Sequence, residues 1–368
     1  MISTILILFF GALVIAVAGT PVSKWLAPKV GVMAIPRARD IHTRPVPRMG
    51  GVAIFAAVMV GAVLLSDRFY VRELAALLFG ASLMSFLGLI DDRFSLSAYV
   101  RLVAQMGTAF FMYYIGVRVQ LFDNLILDAL ITMLWITGIT NAMNFLDNMD
   151  GLLAGISAVI ASFFLMLSVI NGQYLVGLLS AAILGACIGF LIWNWNPATV
   201  FMGDSGSMFL GFTLAVLAIK LRFMGQSTTV SWMVPVIVLG LPVFDMTMVF
   251  VSRIRRGKNP LTTPGKDHTS HRIANHGYTN REAVMMLYLV CGALGMIAVL
   301  SSFASVTTNL VLAAILVILG LTLLWFMELG PWKLNTPDQP KTNPPAQAAP
   351  VQPAAEAAIT ASQSSASG

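Results

Sequence analysis

The chain has 368 residues, of which 58% are hydrophobic and only 10% charged, and its mean hydropathy is +0.84. That apolar load far exceeds the need of one soluble core and places the chain among integral membrane proteins. The formal net charge of +6 comes from 22 Lys and Arg against 16 Asp and Glu, and because the cations gather in a few loops it reports topology, with no nucleic-acid partner expected.

An α-helix rising ~1.5 Å per residue needs about 20 residues to cross the hydrocarbon. Apolar runs of that length predict about eleven transmembrane helices, near 4–22, 50–66, 73–90, 102–117, 125–140, 152–170, 174–193, 205–221, 230–251, 283–303 and 308–328. The expected fold class is therefore all-α, a polytopic integral membrane protein. The first run ends in Ala16, Val17 and Ala18, which imitates a signal-peptide cleavage site, but no cation precedes it and the first is Lys24, so an uncleaved helix is expected. Loops after odd-numbered helices hold fifteen Lys and Arg, from Lys24 to Arg281, whereas the alternate loops hold five: Arg68, Arg72, Arg118, Lys220 and Arg222. Cytoplasmic loops retain cations, so the N-terminus is expected outside and the odd-to-even loops inside.

Cys187 and Cys291 lie in apolar runs without metal-like spacing and are expected to be small buried hydrophobes. Residues 1–328 form the expected membrane domain. Residues 329–368, rich in Pro, Ala, Gln and Ser, are expected to remain a disordered tail because they cannot bury enough surface to order themselves.

The acids of interest fall at the cytoplasmic ends of these helices. Asp91 and Asp92 follow the third. "NAMNFLDNMDG" sets Asn141, Asn144, Asp147 and Asp150 three residues apart between the fifth and sixth, and Asp204 lies in "VFMGDSGS" before the eighth. "KDHTSHRIANHG" fills the loop after the ninth. In an α-helix, steps of three drift by about 60°, so the four polar groups of the second set would fan across half the circumference; in a 3₁₀ turn they would share one face. Gly151 and Gly155 would let a backbone or a ligand approach closely. Adjacent like charges at Asp91 and Asp92 call for a cation. Carboxylates with Asn oxygens suit a hard ion such as Mg²⁺, which takes one or two carboxylates and fills its octahedron with phosphates and water. Phosphoryl chemistry is the natural expectation.

In order along the chain, "RDIHTRPVPRMGG", "DDR", "NAMNFLDNMDGLLAG", "VFMGDSGS", "PVFDMTMVFVSRIRRG" and "DHTSHR" together resemble the motifs of the polyprenyl-phosphate N-acetylhexosamine-1-phosphate transferases. The resemblance covers about residues 1 to 328. It implies a bacterial plasma-membrane enzyme that moves a sugar phosphate from a UDP-N-acetylhexosamine to undecaprenyl phosphate and releases UMP. It also implies Mg²⁺, or Mn²⁺ in its place, and leaves a homodimer open. By resemblance, Asp204 would hold the metal, with Asn144 sharing it, and Asp91 would deprotonate the lipid phosphate with Asp92 in support. Phe201 would stack on uracil, Asn141 would line the same polar wall, and Asn194 and Asp147 would bond the nucleotide or ribose, with Asp150 behind them. His268, His271 and Arg272 would meet the diphosphate or the N-acetyl sugar, and Arg44, Arg48 and Arg101 the lipid phosphate. Asp245, inside the ninth helix, would line the floor of the site or pair with a loop cation.

His268 and His271 are separated by Thr269 and Ser270, whereas the branch that takes UDP-N-acetylmuramoyl-pentapeptide carries three consecutive His. The resemblance therefore favours the branch that uses UDP-N-acetylglucosamine and starts O-antigen, teichoic acid or other envelope glycans. One departure is visible: the family's first Gly in Asp-Gly-x-Asp-Gly is Asn148 here.

Two other classes fit less well. "GDSG" at 203–206 matches the Gly-x-Ser-Gly of intramembrane serine proteases, with Ser205 as nucleophile, but every His lies in a loop rather than in a helix facing it. A secondary transporter would place its acids near the membrane midplane in broken helices, while these gather at one face.

Overall fold

A computed structural model describes residues 2–34, 45–64, 71–122, 124–223, 225–263 and 265–333. Arg44, one of the expected phosphate ligands, and the expected tail beyond Lys333 lie outside the described residues. The remainder is all helical apart from one short antiparallel pair, β1 (Met33–Ala34) with β2 (Val46–Pro47). The helices are α1 (Ile2–Val30), α2 (Gly50–Leu64), α3 (Val71–Phe94), α4 (Ala98–Ile115), α5 (Leu125–Leu146), α6 (Leu152–Ile170) and α7 (Tyr174–Asn194). They continue as α8 (Gly203–Lys220), α9 (Thr228–Val238), α10 (Gly240–Arg255), α11 (Thr269–Asn275), α12 (Asn280–Ser301) and α13 (Val306–Glu328).

Among the described residues each expected apolar run is helical, with two departures. The ninth run is broken at Leu239, where α9 and α10 meet at a bend of 71°. Gly240 weakens the helix there, and Pro242 lacks the N–H that would continue the ladder. The seven-residue α11 was not expected at all, because its sequence is polar. Among the described residues, seven helices (α1, α3, α5, α6, α7, α12 and α13) are long and apolar enough to cross a membrane, and the α9–α10 pair adds an eighth if it counts as one bent span. The chain is a multi-pass membrane protein.

The core is built around α8, whose residues are buried except Asp204 at its start and Lys220 at its end. α3 and α8 come together backbone to backbone: a methyl group on Gly88 would sit 2.2 Å from the Asp204 carbonyl oxygen. α2 crosses α8 with the same intimacy, a Cβ on Gly51 falling 2.2 Å from Gly206 Cα. Small residues let membrane helices approach in this way. Side-chain bonds then mark two ends of the bundle. At one end Lys220 pairs with Glu73 and Gln173 bonds the Arg222 backbone; the other gathers the ends of α3, α5, α7, α10 and α13 with the starts of α2, α4, α6, α8 and α11.

Candidate active site

α3 runs on to Phe94, so Asp91 and Asp92 occupy its last turn. Neighbours on a helix point ~100° apart, and the two carboxylates part accordingly. Asp91 Oδ1 accepts the Leu96 N–H at 2.7 Å, and its Oδ2 accepts from Arg101 of α4 at 2.7 Å. Asp92 turns to the start of α8, where its Oδ2 accepts the Ser205 N–H at 3.2 Å and its Oδ1 lies 3.3 Å from Arg48 Nε. Met202, which precedes α8, supplies no side-chain cap, and a carboxylate at this position answers both the orphan donors and the dipole of the helix. Separate partners, rather than one shared cation, relieve the repulsion between the adjacent acids. The structure places Asp92 as an anchor for α8 rather than beside Asp91.

α5 also runs past its apolar stretch, to Leu146, so Asn141 and Asn144 are helical rather than in a loop. Their divergence lets one helix reach two neighbours. Asn141 Nδ2 donates to Gln105 Oε1 of α4 at 2.6 Å, whereas Asn144 Nδ2 donates to Asp204 Oδ1 at 2.9 Å and to Ser207 Oγ at 2.8 Å. Asp204 also faces two guanidinium groups, with Arg48 Nη2 at 3.7 Å and Arg101 Nη1 at 4.0 Å. Its side chain is 16% exposed, against 5% for Asp91 and none for Asp92, so Asp204 is the most open to solutes of these three carboxylates. Arg48 is held beside it because the 45–49 segment threads against 200–202: the Phe201 N–H donates to the Pro47 carbonyl at 2.8 Å, and the Gly51 N–H to the Met202 carbonyl at 2.8 Å. Half-buried Phe201 thus leads directly into the acid cluster.

Asp147 caps the C-terminus of α5. Its carboxyl is pushed up to about 7 by burial, against the pull of Arg48 and the Gly203 N–H, with the charges of Asp204 and Asp150 adding to the rise. Asp150 and Asn194 shape the surrounding loops. Asp150 Oδ2 accepts from Asn196 Nδ2 and the Ala198 N–H, both at 3.0 Å. Buried Asn194 accepts the Gly151 N–H at 3.0 Å and donates to the Val200 carbonyl at 2.9 Å, so its amide is already used in joining two loops. The close approach expected at Gly151 and Gly155 is made by Tyr288 of α12, whose hydroxyl donates to the Gly151 carbonyl at 2.5 Å.

The α11 loop closes the other side. Asp245 of α10, wholly buried, accepts from His268 Nδ1 at 2.8 Å and from the Thr269 N–H at 2.7 Å. The His268 ring meets Phe145 edge-on at 5.9 Å and His271 at 6.1 Å. Asp267 takes a two-pronged bond from Arg253, both contacts at 3.0 Å, and a third from Arg256 at 2.6 Å. Despite burial, these bonds bring Asp267 down to about 2.

Arg272 does not join the acid cluster. Its side chain is fully buried and donates to Glu328 Oε2 at 2.6 Å, to Ser252 Oγ at 3.0 Å, and to the Asp267 and Met327 carbonyls. Expected as a diphosphate ligand, it instead ties α11 to the end of α13. Glu328, Asp267, Gln105 and Ser207 were not singled out from sequence; an acid closing the last apolar run and another beside a basic loop were the signals for the first two.

Burial, then the charges of His268 and Lys266, push His271 down to about 4, against Asp245 and Asp267. Its imidazole is therefore neutral at pH 7 and offers a hydrogen bond rather than a charge. Because the folded pKa lies below the unfolded value of ~6.5, the unfolded chain binds the extra proton between these values and stability falls as pH drops from about 6.5 toward 4. His271→Gln should flatten that part of the pH profile in thermal unfolding; an unchanged slope would place the lost stability elsewhere.

The segment 74–222 matches glycosyl transferase family 4. Over 323 residues, covering 85% of this chain and 89% of the relative, the sequence is 34% identical to a probable undecaprenyl-phosphate N-acetylglucosaminyl 1-phosphate transferase of Bacillus subtilis. It is 33% identical to a decaprenyl-phosphate N-acetylglucosaminephosphotransferase of Mycobacterium tuberculosis, across 87% of this chain and 88% of that one. An undecaprenyl-phosphate alpha-N-acetylglucosaminyl 1-phosphate transferase of Escherichia coli is 26% identical, across 84% and 87% of the respective chains.

Proposed function

This chain belongs to glycosyl transferase family 4, and on that premise we propose that its acid cluster transfers N-acetylglucosamine 1-phosphate from UDP-N-acetylglucosamine to undecaprenyl phosphate in a bacterial plasma membrane. The observation that carries the reading is the setting of Asp204, reachable by solutes and flanked by Arg48, Arg101 and Asn144 at the junction of α3, α4, α5 and α8.

In the proposed reaction, an oxygen of the lipid phosphate attacks the sugar-bearing phosphorus of the donor. The bond from that phosphorus to the oxygen bridging the two phosphates breaks, and the electron pair leaves with UMP. Asp91 takes the proton of a protonated lipid phosphate, and Arg101, which bonds Asp91 at 2.7 Å, brings acceptor and base together. Arg48 neutralises charge on the phosphates, as guanidinium groups do in phosphoryl transfer. Asp92 holds the start of α8, and with it Asp204, in place.

The donor set fits Mg²⁺. Among the described residues no three His, Cys, Asp or Glu form a ready-made metal cluster, and Mg²⁺ commonly takes one or two carboxylates and completes its shell from phosphates and water. Asp204 would hold it, with the oxygen of Asn144 within reach after a flip of the amide. When bound, the ion would neutralise the diphosphate.

The alternation of helix ends supports eleven crossings, with α2, α4 and α8 as further spans. α8 is enclosed by protein along its length, so it can cross without presenting an apolar face to lipid. The excess of Lys and Arg in loops at the acid end supports a cytoplasmic site.

The deciding experiment is UMP release by purified protein given undecaprenyl phosphate, Mg²⁺ and, in parallel, UDP-GlcNAc, UDP-GalNAc or UDP-MurNAc-pentapeptide. Release with UDP-GlcNAc that stops with EDTA is expected. Turnover with the pentapeptide donor alone would overturn the sugar assignment, and no release from folded protein with any donor would overturn the reaction.

A further inference from the structure

We propose that Asn148 and Ser270 form a latch that holds the α11 loop against the acid-bearing turn and so sets the fit of the sugar donor, a role that rests on the transferase reading above. Asn148 lies between Asp147 and Asp150. Its Oδ1 accepts the Ser270 hydroxyl at 2.6 Å, and its Nδ2 donates to the Phe145 carbonyl at 2.7 Å. The amide therefore bridges the end of α5 to the first turn of α11, between residues 122 positions apart in the chain. Ser270 is 1% exposed, so its hydroxyl is committed to this contact.

A second observation places the same two elements in register. Phe145 meets the His268 ring edge-on, and the Arg253 guanidinium lies over the same Phe145 ring, 5.5 Å from its centroid. Residues 145 and 148 on one side thus engage residues 268 and 270 on the other. The remaining anchors of the loop run away from the acids: Asp245 holds His268 and the Thr269 N–H from below, and Arg272 ties the loop to α13. Without the latch the loop keeps those anchors but loses its side-chain bond to the turn carrying Asp147 and Asp150. His271, next to Ser270 and partly exposed, would then lose its fixed distance from the acid cluster.

The two residues are positioning residues. Both are uncharged at all working pH values, so the latch sets geometry without altering the charge of the site. Its effect should fall on the ligand that lies between turn and loop, the UDP-sugar, and spare the lipid phosphate assigned to Arg101 on α4.

The test uses the full chain in detergent, measuring UMP release with UDP-GlcNAc and undecaprenyl phosphate each varied in turn. Asn148→Gly and Ser270→Ala are each expected to raise the donor KM roughly three- to tenfold, the range one hydrogen bond supports, with the acceptor KM unchanged. The double variant should be no worse than the more impaired single, because both singles remove the Asn148–Ser270 bond, and Ser270→Thr, which keeps a hydroxyl, should restore the donor KM. An unmoved donor KM, an equal rise in both KM values or additive effects in the double variant would overturn the latch. Ser270→Ala removes one oxygen and carries the test if Asn148→Gly fails to fold. Wild-type protein that releases no UMP would overturn the transferase reading and the latch with it, whereas active wild type with indifferent variants sinks the latch alone.

Discussion

Replacing Asp204 with Asn should reduce UMP release by on the order of 10²- to 10³-fold while leaving the folded protein intact, the scale seen when one preorganised electrostatic group is removed from a reacting centre. The substitution keeps the shape of the side chain and an oxygen that can accept from Asn144, now 2.9 Å away. Arg48 and Arg101 lie at 3.7 and 4.0 Å, and each keeps a closer carboxylate, Asp92 at 3.3 Å and Asp91 at 2.7 Å. What disappears is the negative charge in the part of the cluster open to solutes. Glu73→Gln, at the opposite end of the bundle, is the matched control: its pair with Lys220 is partly solvated and worth at most about 1 kcal/mol, so turnover should hardly change. Full activity in both variants would remove Asp204 from the reaction.

Arg272→Met should act on stability rather than on chemistry, lowering it by about 3–5 kcal/mol, the cost of leaving a buried ion without its partner. The guanidinium is wholly buried, and Glu328 is 5% exposed. Arg255 also bonds Glu328, at 3.0 Å, and would keep part of the charge compensated, which favours the lower half of that range. The measurement is thermal unfolding in detergent beside KM for the donor in the fraction that remains folded. A lower midpoint with an unchanged KM is expected. An unchanged midpoint with a raised KM would make Arg272 the diphosphate ligand that its place in "DHTSHR" suggests.

Periodicity and hydropathy located the apolar helices because lipid and protein core ask for the same residues, and both leave long runs. They stopped short at the functional ends. Asn141 and Asn144 read as the start of a loop, since polar residues end an apolar window, yet α5 continues beneath them and their polarity is spent on α4 and α8. The break at Leu239 was averaged away in a window that saw one long greasy stretch, although Gly240 and Pro242 were in view. α11 escaped notice because most of its buried face is polar: Thr269, Ser270 and the ion-paired Arg272 outnumber the one buried apolar side chain, Ile273. The separate fates of Asp91 and Asp92 depend on where Ser205 and Arg101 fold, and that of Arg272 on Glu328, 56 residues away. Adjacent letters carry no record of such distances.

The backbone contacts at Gly88 and Gly51 have a consequence for redesign. With a Cβ at either position falling 2.2 Å from a neighbouring backbone atom, α2, α3 and α8 behave as a single machined part whose tolerance is less than a methyl group. Directed evolution toward other sugar donors should therefore find few productive changes on that side. Its accepted substitutions should collect on the facing wall, where side chains rather than main chains set the spacing and one residue can be exchanged without moving the acids.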